Sequence, residues 1–109
     1  MKQKRSVPLK VQGLDKVASR LKALRARVDE ADRAILAALG VRFKAVARIG
    51  KLKISHGMPL LQATRWEEVM KERVKRGARK GFDPAFVTSL YELIHVEALK
   101  TQENLRRKK

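Results

Sequence analysis

The chain has 109 residues, enough for one domain, and a formal net charge of +16. It contains no cysteine, which excludes disulfide bonds and thiolate metal sites. Cysteine usage therefore does not set the compartment, although a reducing cytosol fits, and we expect a cytoplasmic protein. The N-terminal stretch MKQKRSVPLK lacks the apolar region of a secretory signal, and no run of about 18 apolar residues predicts a membrane span. The charge favours anionic ligands, from nucleic acids to small carboxylates, without choosing among them.

The first half of the chain predicts one long helix. Residues 1–13 show no long apolar period and are predicted to form a flexible basic arm. From Leu14, apolar residues recur every three or four positions, which predicts a helix of about 40 residues that reaches Lys53. Gly40 and Gly50 each cost up to about 1 kcal/mol relative to alanine inside a helix. Their presence therefore indicates close helix packing or a local weakness.

The stretch SHGMPLL is the first strong stop in the helical pattern. Gly57 tolerates a positive φ, and Pro59 cannot continue a helix but is able to begin one. Apolar residues then resume at helical spacing, which predicts a second helix from about Leu60 to Lys80.

The stretch RKGFDPAF is the second stop. Gly81 stands where a glycine commonly follows a helix, and Asp83 with Pro84 reads as the cap and the first residue of a third helix. Apolar residues at helical spacing carry this helix to about Leu105, and residues 106–109 are predicted to be a basic tail.

These elements define an all-α domain over residues 14–105, with one very long helix and two shorter ones. A helix of 40 residues is about 60 Å long at 1.5 Å per residue, so two shorter helices of the same chain cannot cover it. Its apolar stripe needs a partner, and a second copy of the chain is the simplest one. We therefore predict an intertwined homodimer.

The basic stretch RFKAVARIGKLK contains cations on two different faces of the long helix. Arg42 and Lys53 are eleven residues apart, close to three turns, and both belong to the apolar stripe. Lys44, Arg48 and Lys51 lie outside that stripe, where exposure to solvent is a sufficient explanation for their charge. A charge that faces the interior must be paired or bind a ligand. A protein that binds a polyanion is expected to turn its cations outward together, so this arrangement favours a pocket for a small anion.

Further candidate residues lie on all three helices. Arg25 precedes Arg42 by seventeen residues and lies about a quarter-turn off its register, so it reaches the same place most easily from an antiparallel second chain. Two pairs share a helix face by their spacing: Gln62 with Arg65, and Ala98 with Gln102.

Four stretches together resemble the all-helical (AroQ-class, type II) chorismate mutases over about residues 20–105: LKALRARVDEADRAILAAL, VRFKAVARIGKLK, HGMPLLQATRWEEV and GFDPAFVTSLYELIHVEALKTQ. The functional positions of that family match Arg25, Arg42, Lys53, Arg65 and Gln102. The resemblance implies a homodimer of three-helix chains with two active sites. It also implies the Claisen rearrangement of chorismate to prephenate, a step of phenylalanine and tyrosine biosynthesis, without metal or cofactor.

The resemblance implies a role for each of these five residues. Arg25 from the partner chain and Arg42 would clamp the substrate carboxylates through bidentate hydrogen bonds. Arg65 would add to the positive wall of the site or orient its neighbours. Lys53 and Gln102 would donate to the ether oxygen, where negative charge grows as the C–O bond breaks.

Three further positions of the expected substrate site depart from the family pattern. Trp66 stands where many members have a carboxylate that contacts the ring hydroxyl, Ala98 where many have a small hydroxyl residue, and Gln62 where aspartate is common. A lost hydrogen bond to a buried hydroxyl costs about 1–3 kcal/mol. The departures therefore predict a slower mutase, a pocket rebuilt around Trp66, or a related substrate.

Several alternatives remain open at this stage. An isochorismate pyruvate lyase or an aminodeoxychorismate mutase would use the same fold and the same cations. A catalytically weak regulatory subunit for another enzyme of the pathway is a further reading. A basic helical nucleic-acid-binding protein would explain the net charge of +16 and would lose affinity steeply with salt. We do not expect nucleic acid to be the ligand, because zinc motifs and glycine-rich phosphate loops are absent from the sequence and aromatic residues are few.

Overall fold

The structure is a computed structural model that describes residues 9–107, with side chains described from residue 13 onward. Within residues 9–107 there are three helices: α1 (Leu9–Ser55), α2 (Ala63–Arg79) and α3 (Pro84–Arg107). Residues 9–107 contain no strand, so the predicted all-α class is confirmed. Within the same range, no helix combines the length and apolar character needed to cross a membrane.

The helix boundaries differ from the predicted ones at both ends of the chain. Helix α1 already begins at Leu9, inside the predicted arm, and α3 continues to Arg107, inside the predicted tail. The remainder of the arm, residues 1–8, and of the tail, residues 108–109, lies outside the described part of the chain.

The chain divides into two compact units, with the boundary between Leu39 and Gly40. In the N-terminal unit, every side chain from residue 13 to residue 38 is exposed. The exposed residues include the apolar positions of the predicted stripe: Leu14, Val17, Leu21, Leu24, Val28 and Ile35. Removing apolar side chains from water lowers the free energy, so this exposed apolar face is available to a partner.

The C-terminal unit contains residues 40–55 of α1 together with α2 and α3. Its buried side chains are few: Leu60, Val69, Val87, Ala98 and Gln102. Helices α2 and α3 form a closely packed hairpin. A Cβ atom added at Gly77 would lie only 2.6 Å from Cγ2 of Val87, so the absence of a side chain at Gly77 allows this approach.

The turn between α2 and α3 agrees with the predicted capping residues. Gly81 follows α2 with φ of 84°, a left-handed conformation that favours glycine. The carboxylate of Asp83 accepts a hydrogen bond from the backbone N–H of Ala85 at 2.9 Å, which caps α3, and Pro84 is the first helical residue. The predicted start of α3 is therefore confirmed.

The predicted start of α2 at Leu60 is wrong by three residues. Residues 58–62 form a non-helical connector, and Gln62 at the end of it has extended backbone angles (φ −119°, ψ 103°). The carbonyl oxygen of Leu60 instead accepts a hydrogen bond from Nζ of Lys53 at 2.8 Å. A contact between residues seven positions apart leaves no local signal in the sequence, which explains the error.

Candidate active site

A cleft of about 410 Å³ opens in the C-terminal unit between residues of α1, α2, α3 and the connector before α2. Seven of the eight residues predicted to bind substrate line it: Arg42, Lys53, Gln62, Arg65, Trp66, Ala98 and Gln102. Helical spacing explains part of their convergence, because Arg42 with Lys53 on α1, and Ala98 with Gln102 on α3, share one face of their helix, whereas Gln62 lies in the connector before α2. The eighth, Arg25, is an exposed residue of the N-terminal unit and is not among the lining residues.

The two inward cations of α1 are half-buried and held without carboxylates. Nζ of Lys53 donates to the Leu60 carbonyl, which fixes the ammonium group and leaves its other N–H donors for a ligand. The guanidinium carbon of Arg42 lies 5.9 Å from the centre of the Tyr91 ring, a cation–π distance. Within residues 13–107, neither cation has a carboxylate at ion-pair distance. Both positive charges are therefore available to an anionic ligand.

Gln102 is the most precisely placed polar group of the cleft. Its side chain is only 5% exposed, and Nε2 donates to the Val46 carbonyl of α1 at 3.0 Å. The contact requires a glycine on α1, because a Cβ added at Gly50 would lie 2.9 Å from Cγ of Gln102. The close packing suggested for Gly50 is thus present. The amide carries a second N–H that the contact with Val46 does not use.

Arg65 and Arg73 bring two more cations from α2. Arg65 is exposed and pairs with Glu68 one turn later at 3.6 Å. Arg73, which sequence reasoning missed, is half-buried and lies 6.0 Å from the centre of the Tyr91 ring. The hydrogen bond from Arg73 lowers the pKa of Glu72, helped by the nearby charge of Arg76. The spacing of Arg73, two turns after Trp66, was the signal that could have placed it in the cleft.

Sequence reasoning also missed His95. Its imidazole stacks on the indole of Trp66, with ring centres 4.0 Å apart and an interplanar angle of 23°. Burial lowers the pKa of His95, and the positive charge of Arg42 lowers it further. The ring is therefore mostly neutral at pH 7. His95 lies seven residues before Gln102 on the same helix face, and this spacing could have placed it in the cleft.

The charge balance of the cleft is one-sided. Among residues 13–107, its lining side chains include four cations, Arg42, Lys53, Arg65 and Arg73, and no aspartate or glutamate. Arg65 and Arg73 are paired with Glu68 and Glu72, which are not among the lining residues, so Arg42 and Lys53 are the cations of the lining without a carboxylate partner in that range. Two buried or half-buried groups, the Gln102 amide and the His95 imidazole, add neutral hydrogen-bonding capacity. Such a cleft is suited to a small ligand that carries more than one negative charge.

Comparison with known proteins agrees with this geometry. Residues 24–103 match the family described as chorismate mutase type II, a match that covers well over half of the chain. The chain therefore belongs to the type II chorismate mutase family, and the predicted family is confirmed.

Three relatives illustrate the range of the family. A 4-amino-4-deoxychorismate mutase of Streptomyces pristinaespiralis is 39% identical over 83 residues, which cover 76% of this chain and 64% of the relative. A protein of the same name from Streptomyces venezuelae is 30% identical over 83 residues, which cover 76% and 81% respectively. The T-protein of Enterobacter agglomerans is 28% identical over 88 residues, which cover 81% of this chain and 23% of that protein. The chain thus spans less than two thirds of the length of the first of these relatives.

Proposed function

We propose that the chain catalyses the Claisen rearrangement of chorismate to prephenate. The observation that carries the proposal is the convergence of four cations and one buried amide on a cleft whose lining includes no carboxylate. Chorismate carries two carboxylates and an ether oxygen that gains negative charge as its bond to the ring breaks. A cationic cleft binds the first two and stabilises the third.

The reaction needs no group transfer, because one C–O bond breaks and one C–C bond forms within the same molecule. Arg42 binds a carboxylate and holds the flexible enolpyruvyl arm over the ring, which supplies orientation. Lys53 and Gln102 donate to the ether oxygen from two different helices. Both donors are fixed before substrate arrives, Lys53 by the Leu60 carbonyl and Gln102 by the Val46 carbonyl. Preorganised donors stabilise the developing charge without a reorganisation cost during the reaction.

The direct test follows the absorbance of chorismate on addition of purified protein, with a Lys53→Ala variant beside it. Loss of one donor to a developing oxyanion lowers kcat by about 10²- to 10³-fold. Circular dichroism checks that the variant keeps its helices. The proposal fails if the wild-type protein consumes no chorismate-type substrate, or if the variant is as active as the wild type.

A second substrate, 4-amino-4-deoxychorismate, is favoured by the names of the two Streptomyces relatives. The position of Trp66 supports it as well, since a carboxylate that would bind the ring hydroxyl of chorismate is missing there. Both compounds present the same carboxylates and ether oxygen to Arg42, Lys53 and Gln102. Values of kcat/KM for the two substrates, measured side by side, decide which is preferred.

A homodimer is part of the proposal. The exposed apolar face of residues 14–35 supports a partner chain, and Arg25 lies in that same unit. Arg25 would complete the site of the other protomer. If so, Arg25→Ala and Lys53→Ala variants, each strongly impaired alone, regain activity when unfolded and refolded together. Random pairing makes about half of the dimers mixed, and each mixed dimer has one intact site and one that lacks both residues. About a quarter of all sites are then intact. No recovery on mixing would refute the shared site.

The cytoplasmic location predicted from the composition also belongs to this proposal, and fractionation of the source cells tests it.

A further inference from the structure

The substituent on carbon 4 of the ring requires a hydrogen-bond acceptor in the cleft. That substituent is a hydroxyl in chorismate and an amino group in its 4-amino analogue, and both donate hydrogen bonds. The cations that line the cleft only donate, so none of them can accept a hydrogen bond from either group. The lining side chains that can accept are Gln62, His95 and Gln102.

Two of these three acceptors are less suited to the task. Gln62 is exposed and lies at the residue before α2. Gln102 is directed toward α1 by its hydrogen bond to Val46 and is assigned to the ether oxygen in the proposed mechanism. His95 is the remaining acceptor, and it is half-buried.

The stack on Trp66 fixes the place and the orientation of the His95 ring. The two rings are stacked with their centres 4.0 Å apart, so the hydrogen-bonding directions of both imidazole nitrogens, which lie in the plane of that ring, are not used by the indole. Trp66 follows Arg65 directly on α2, and His95 lies one turn before Ala98 on α3, so the stacked pair joins the two helices across the cleft.

The protonation state of His95 agrees with an accepting role. Burial and the nearby Arg42 charge lower its pKa, and the other charged side chains lining the cleft, Lys53, Arg65 and Arg73, are also positive. A neutral imidazole has one nitrogen without a hydrogen, which accepts. A protonated imidazole would add a fifth positive charge and offer no acceptor.

We infer that His95, stacked on Trp66, is a specificity-determining residue that accepts a hydrogen bond from the substituent on carbon 4 of the substrate ring. The inference rests on the proposed function and adds to it the group that distinguishes substrates at that carbon. Trp66 stands where many members of the family have a carboxylate, and His95 beside it provides a neutral acceptor instead. Such a surface accommodates a hydroxyl or an ammonium group, since both donate to a neutral acceptor.

The test compares wild type with His95→Phe, which keeps an aromatic ring against Trp66 and removes both nitrogens. His56→Phe is the matched control, because His56 is exposed and is not among the residues that line the cleft. Each protein is assayed for kcat/KM with chorismate, with the 4-amino analogue and with an analogue that carries hydrogen at carbon 4.

We expect His95→Phe to lose roughly 5- to 150-fold in kcat/KM with the first two substrates, the cost of an unpaired donor, and to change little with the third. His56→Phe should match the wild type with all three. An equal loss of His95→Phe on all three substrates would indicate a merely structural role and overturn the inference, and so would no loss at all. Wild-type protein that converts none of the three would instead refute the proposed function, on which the inference depends.

Discussion

The substitution Gly50→Ala tests whether Gln102 acts through its exact placement. The added Cβ would lie 2.9 Å from Cγ of Gln102 and 3.4 Å from its Cβ and Cδ. Ordinary contacts begin at 3.4 Å, so the glutamine must move by about 0.5 Å or more. A misplacement of 1 Å at a catalytic group costs about 10²-fold in rate, so kcat should fall roughly 10- to 100-fold.

The effect of the same substitution on stability should be smaller. Overpacking of a filled site costs about 1–3 kcal/mol, whereas replacing a mid-helix glycine by alanine gains up to about 1 kcal/mol. The free energy of unfolding in urea should therefore fall by about 0–3 kcal/mol, measured with kcat for chorismate in the same preparation.

Gly40→Ala is the matched control, since the same helix α1 contains Gly40 and nothing lies within 4 Å of a Cβ added there. It should raise stability slightly and leave kcat unchanged. If Gly50→Ala proved as active as Gly40→Ala, the placement of Gln102 against α1 would not matter for catalysis and the reasoning would fail.

Three other predictions concern packing, pH and salt. Gly77→Ala should destabilise the protein by about 1–3 kcal/mol in urea unfolding, because its Cβ would lie 2.6 Å from Val87; a stability equal to wild type would contradict the packing described for α2 and α3. His95 has a lowered pKa in the folded chain, so the unfolded chain takes up its proton first as pH falls below the ordinary value of 6.5, and the folded state loses stability there. Unfolding free energies at pH 7.5 and 5.5 should show this loss, and His95→Phe should remove it; an unchanged pH dependence in the variant would refute the assignment. If the net charge of +16 steers an anionic substrate, kcat/KM should fall as salt is added, and a flat response would exclude steering.

Helical periodicity accounts for most of what could be predicted. The spacing of Arg42 and Lys53 on an apolar stripe predicted that they face inward, and both line the cleft. The separation of Lys44, Arg48 and Lys51 from that stripe predicted exposure, and all three are exposed. These predictions succeed because the residues on one face of a helix depend only on its period of 3.6.

Contacts between distant segments account for what could not be predicted. The stack of Trp66 on His95 joins residues of α2 and α3, and the Tyr91 ring lies at cation–π distance from Arg42 of α1 and Arg73 of α2. No local pattern encodes which residues of two helices meet.

The positive charge of the cleft favours chorismate, whereas the relatives and the missing carboxylate at Trp66 favour the 4-amino analogue, and pH separates the two. An aliphatic amine is protonated at neutral pH, so the 4-amino analogue brings a positive charge into a cleft lined by four cations and no carboxylate. Chorismate brings a neutral hydroxyl to the same place. The repulsion disappears when the amine of the substrate loses its proton, whereas it is strengthened when His95 gains one. The ratio of kcat/KM for the amino analogue to that for chorismate should therefore rise with pH. A ratio that stays constant from pH 6 to pH 9 would mean that the substituent lies outside the field of the four cations, and Trp66 with His95 would then not be its neighbours.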